Sequence, residues 1–77
     1  MPYSGELKVK LLALWEILSQ YSDRSHPIGT NEIVSRLKEK GIPCDRRTLA
    51  QDIEALQNYG YEVMVDKKPK ETQYYKQ

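Results

Sequence analysis

The chain has 77 residues, of which 39% are hydrophobic and 30% charged; this is enough for one small core and too little for two domains. Its formal net charge is +1, so bulk charge gives no argument for a nucleic-acid, membrane or acidic partner, and any basic surface has to come from arrangement. One cysteine and one histidine exclude an internal disulfide and a clustered metal site, and no cofactor is implied.

The first periodic segment is GELKVKLLALWEILSQYSD, in which Leu7, Leu11, Leu14, Trp15, Leu18 and Tyr21 recur at three- and four-residue steps and predict a helix. Ser4 is its expected cap and Glu6 suits the positive end of its dipole. Its apolar run Leu11 to Leu14 is far shorter than the roughly 20 residues that span a bilayer. No signal-peptide pattern precedes it, so the chain is expected to be cytoplasmic. In DRSHPIGT, Pro27 and Gly29 punctuate a loop, with Ile28 between them as a single short strand position. Thr30 is then expected to cap a second helix running through Lys40, with Ile33, Val34 and Leu37 on one face and Gly41 as its stop.

Gly41 to Cys44 form a short turn, and Asp45 is placed to cap a third helix over 46–58. Leu49, Ile53 and Leu56 share one face and face inward, which leaves Arg46, Arg47, Ala50, Gln51 and Glu54 outside or sideways. Gly60 supplies the left-handed residue that ends the helix. Past it the period changes to two. Tyr61, Val63 and Val65 alternate with Glu62, Met64 and Asp66 as in a half-buried strand, KKPKE turns around Pro69, and Thr72 to Lys76 returns. The order of helix, short strand, helix, tight turn, helix and hairpin is that of a winged helix-turn-helix, a mainly α, α+β fold.

Chemistry is concentrated on the third helix. Two arginines at the positive end of a helix dipole are electrostatically misplaced, so they imply an external partner. An arginine fork makes paired hydrogen bonds with guanine or phosphate, and recognition helices present their N-terminal residues to base edges in the major groove. Arg46 and Arg47 have that position; Gln51, a turn further on, suits adenine or phosphate, and Thr48 suits backbone or a thymine methyl. Thr30 and Asn31, at the start of the second helix, are candidate phosphate anchors. Lys67, Lys68 and Lys70 at the hairpin tip are placed to reach the neighbouring minor groove or its phosphates.

Other polar residues read as structural. Asp52 is expected to make a structural bond or ion pair, because a carboxylate facing DNA repels phosphate. Trp15 reads as core; Tyr74 and Tyr75 point to opposite faces of a strand. Cys44 and His26 each stand alone, with no nucleophilic constellation, and no triad, phosphate loop or acid-base pair suggests an enzyme.

CDRRTLAQDIEALQNYGYEV resembles the recognition-helix signature of the DeoR-like winged helix at the N-terminus of WYL-domain transcriptional regulators. KLLALWEIL and NEIVSRLKEKGI are similar to its preceding helices, so the resemblance spans nearly the whole chain. Its most specific pieces are Arg46-Arg47-Thr48, Asp52-Ile53, Ala55-Leu56 and Gly60. The chain differs from many relatives at Ala50 and Gln51, where they carry basic residues, and at Asp45, where they have a small cap. The resemblance implies a bacterial transcriptional regulator that binds double-stranded DNA, with a ligand-sensing, homodimer-forming region following Gln77. A winged-helix module that docks on protein and a DNA-binding appendage of a metabolic enzyme are the competing readings.

Overall fold

Apolar periodicity and end chemistry explain where the helices begin and end. The computed structural model of the chain describes residues 2–77, with side chains from Lys8 onward. Helix α1 (Pro2–Tyr21) leads to strand β1 (Ile28–Gly29), helices α2 (Thr30–Glu39) and α3 (Arg46–Asn58), and strands β2 (Val63–Lys67) and β3 (Thr72–Lys76). Because α1 begins upstream of Ser4, that residue does not mark its boundary; the side chains of Ser4, Glu6 and Leu7 lie outside the described ones.

α1 contributes Leu14, Ile17 and Leu18, all fully buried. Ile17, one turn past Leu14, belongs to the inner face that the periodicity outlined. Tyr21 does not: it is 47% exposed, and the Arg36 guanidinium lies over its ring at 3.6 Å. α2 adds Ile33 and Leu37, and α3 adds Leu49, Ile53 and Leu56, closing one core with Ile28, Val63 and Tyr74 from the strands. Trp15 packs against the rim of this core, its ring 4.7 Å from that of Tyr61.

Both later helices stop by the same device. Gly41 has φ +82° and Gly60 φ +107°. At each glycine the chain turns back so that its own N–H and that of the next residue satisfy the last carbonyls: Gly41 to Lys38 and Ile42 to Leu37, Gly60 to Gln57 and Tyr61 to Leu56. The apolar residues after the glycines, Ile42 and Tyr61, then fold onto the core.

The three strands form one antiparallel sheet in the order β1-β3-β2. Ile28 faces Tyr74 and Gly29 faces Gln73, while β2 and β3 pair from Val63 opposite Lys76 to Lys67 opposite Thr72. The hairpin reaches the core through Val63 and Tyr74. Val63 is buried, but Val65 is 43% exposed, contrary to the half-buried alternation expected of the whole strand. β2 is an edge strand, paired only by β3, and Val65 is left without cover although its cross-strand partner Tyr74 is buried. The hairpin root is tied down by Gln57 Nε2, which donates to the Val63 carbonyl at 2.8 Å, and by the Lys76 N–H, which donates to Ser22 Oγ at 3.2 Å. Among the described residues no helix is long and apolar enough to cross a membrane.

At Gly60 a methyl group would meet nothing within 4 Å, so substitution there isolates the conformational term. Gly60→Ala is expected to lower unfolding stability by about 1–2 kcal/mol through its left-handed backbone alone. Urea denaturation with an unchanged m-value checks this; a neutral substitution would contradict it.

Candidate functional site

The start of α3 is built by Asp45. Its carboxylate accepts the Thr48 N–H at 2.8 Å, as expected of a helix cap. That backbone hydrogen bond, helped by the Thr48 hydroxyl and the nearby Arg47 charge, holds the Asp45 carboxyl below its ordinary value. The acid is thereby directed at its own helix. Arg46, Arg47, Ala50, Gln51 and Glu54 are all exposed and Thr48 is half-buried, because the opposite face is committed to the core through Leu49, Ile53 and Leu56.

A second contact sets the rotation of α3. Lys10 Nζ from α1 lies 2.8 Å from Asp52 Oδ2, with only 15% and 10% of the two side chains exposed. The contact is an ion pair between the first helix and the third. Burial acts to lower the Lys10 pKa, but the neighbouring Asp52 outweighs it and the ammonium is held above its ordinary value. Asp52 thus has the structural role expected from its charge. Cys44 sits beside this pair; burial pushes its thiol above the ordinary range, leaving it in the unreactive protonated form.

The first turn of α3, the start of α2 and the hairpin tip converge on one groove of about 300 Å³. It is lined by Arg46 and Ala50 from α3, Thr30 from α2, and Lys68, Lys70 and Glu71 from the hairpin. Arg47, Gln51 and Lys67 are exposed but are not among its lining residues. Lys68 also pairs with Asp66, two residues before it, at 3.3 Å. A larger hollow of about 560 Å³ lies at the other end of β3, among Ser19, Arg24, His26 and Lys76, away from the α3 arginines.

The start of α2 differs from expectation. Gly29, not Thr30, is the capping residue, and it supplies no side-chain bond. Thr30 is the first helical residue, buried, and its hydroxyl donates to the Thr72 carbonyl at 2.7 Å because the end of β3 packs against it. The Asn31 side chain is exposed, but its backbone N–H donates to Glu71 Oε2 at 2.8 Å. The two residues that looked like free phosphate anchors are therefore engaged with the hairpin. Sequence reasoning passed over Glu71, which sits 40 positions from Asn31 and has no local signature. The remaining clue was Gly29 ahead of a helix that had a threonine available as a cap.

Comparison with family models, with curated proteins and with solved structures finds no match to this chain.

Two outcomes test this construction. Lys10→Met leaves the Asp52 carboxylate covered and unpaired, and is expected to cost about 2 kcal/mol, below the range for deeply buried pairs because this one is shallow. Combining it with Asp52→Leu is expected to restore most of the loss, measured by urea denaturation of both variants. The lowered Asp45 pKa means that the cap contributes stability above the ordinary carboxylate value of 3.8 and loses it as pH falls through the folded value. The gap in melting temperature between the native chain and Asp45→Ala is therefore expected to be constant near neutrality and to close below about pH 4. A gap that widens in acid would contradict it.

Proposed function

We propose that this domain is a winged helix-turn-helix that binds duplex DNA, with α3 in the major groove and the β2–β3 hairpin as a wing along the adjacent backbone. The observation that carries this reading is the convergence of Arg46 with Lys68 and Lys70 in one groove, beside Arg47 and Gln51 on the exposed face of α3. A rod of α-helical diameter fits the major groove, and its first turn presents the arginine forks to base edges or phosphates. Thr48, on the same turn, suits backbone contacts. Such a domain serves as the DNA-reading part of a bacterial transcriptional regulator, with a second copy reading the other half-site.

A protein-docking role is the competing reading, favoured by Ala50 and the Glu71 carboxylate in the same groove, both of which dilute its positive field. A salt titration separates the two. For DNA binding, the logarithm of affinity falls linearly with the logarithm of salt concentration. Replacing Arg46 and Arg47 together by alanine is expected to weaken binding about tenfold or more at low salt, and to reduce that slope by about 1–2 if both contact phosphate. Fluorescence anisotropy on random and genomic duplexes provides the measurement. Absence of binding to any duplex at low salt would transfer the groove to a protein partner.

A further inference from the structure

The two-residue strand β1 stops early, but the fastening it begins does not. Ile28 faces Tyr74 and Gly29 faces Gln73 as strand partners. In the same antiparallel order, the Thr30 hydroxyl then donates to the Thr72 carbonyl at 2.7 Å and the Asn31 N–H to the Glu71 carboxylate at 2.8 Å. Two strand pairs hand over to two polar contacts as the chain enters α2. This matters because the hairpin beyond Gln73 has no third strand, and a two-stranded ribbon is marginally stable in water.

Gly29 supports the same reading. Its φ of −76° and ψ of 157° are open to any residue, so conformation does not require glycine. Space favours it: a Cβ at this position would lie 2.8 Å from Glu71 Cδ and collide with Oε1, so the glutamate side chain would have to move from its present seat. The glycine leaves a seat for the glutamate.

We propose that Glu71 is a positioning residue of the wing. Its carboxylate, seated over Gly29 on the first turn of α2, clasps the hairpin at the residue next to Lys70 and three from Lys68, and so holds the backbone that carries both lysines beside Arg46 in the same groove. Consecutive α-carbons are about 3.8 Å apart, so anchoring Glu71 limits how far the Lys70 backbone can stray. The effect on DNA affinity rests on the DNA-binding reading above, while the clasp itself belongs to the free domain.

A bystander carboxylate and a positioning one give opposite signs. Removing a bystander negative charge from a cationic groove strengthens DNA binding; removing a clasp weakens it. The decisive variant is Gly29→Ala, which displaces the carboxylate from its seat and leaves every charge in place. Glu71→Ala removes the carboxylate, and Glu71→Gln keeps an oxygen that accepts the Asn31 N–H. In the free domain, amide exchange at Asn31 and backbone order of residues 67–72 are measured by NMR. Gly29→Ala and Glu71→Ala are expected to lose Asn31 protection and loosen the hairpin tip, with the α3 amides unchanged and Glu71→Gln intermediate. On duplex DNA, Gly29→Ala is expected to weaken binding about three- to tenfold and to flatten the salt slope by about 1, as lysine–phosphate contacts are lost without removal of a lysine. An ordered tip and a protected Asn31 in both variants would overturn the clasp. A loosened tip with unchanged or stronger DNA binding would overturn the positioning role. If the native domain binds no duplex, the DNA reading and with it the positioning role fall, and the NMR comparison still decides the clasp.

Discussion

The azimuth of α3 about its own axis is the constraint on which the candidate site depends. Leu49, Ile53 and Leu56 hold one side of the helix in the core, and the Lys10–Asp52 ion pair holds the flank beside it against α1. These contacts differ in kind. The apolar face is non-directional and tolerates some rotation, whereas the ion pair fixes two atoms at 2.8 Å and tolerates little. Together they leave the arginines of the first turn outside. A rotation of half a turn would bury both guanidinium groups at a cost no interaction in so small a core could offset.

Charge placement explains how a chain with net charge +1 acquires a cationic face. Several carboxylates are already engaged: Asp45 caps α3, Asp52 holds Lys10, Glu32 pairs with Arg36 and Glu16 with Lys40. Among the described residues Arg46 and Arg47 take part in no ion pair. Neutralisation is therefore uneven. The acids are used to build the scaffold, and the guanidinium groups on the first turn of α3 keep their field for what approaches from outside.

What could be read from the sequence followed the range of each signal. The bounds of α3 and β3 come from short-range chemistry, since Asp45, Gly60 and the Pro69 turn all act within a few residues of themselves. The burial of Leu49, Ile53 and Leu56 is periodicity, again local. The start of α2 misled because two threonines compete for meaning: a threonine ahead of an apolar stripe reads as a cap, yet Thr30 is drawn into the helix by the carbonyl of Thr72, 42 residues away. Val65 misled for the converse reason, since alternation reports which face a residue shares and not whether anything covers that face. Glu71 was illegible in the same sense as Thr72: its partner is defined by the antiparallel register between β1 and β3, which exists only once the chain has folded.

That register also resolves why a carboxylate stands among cations in the groove. Alone on the surface, Glu71 would subtract from the field that Arg46, Lys68 and Lys70 create. Seated at the N-terminus of α2, it faces the positive end of a helix dipole and a backbone N–H, which take up part of its charge locally. Its remaining repulsion is screened by solvent in the groove, while the order it imposes on the hairpin acts on two lysines at once. In the proposed complex, holding the hairpin segment that carries two lysines in place before DNA arrives lowers the ordering cost of binding. A small electrostatic loss is then outweighed by preorganisation, and the groove keeps its shape because one of its charges has the opposite sign.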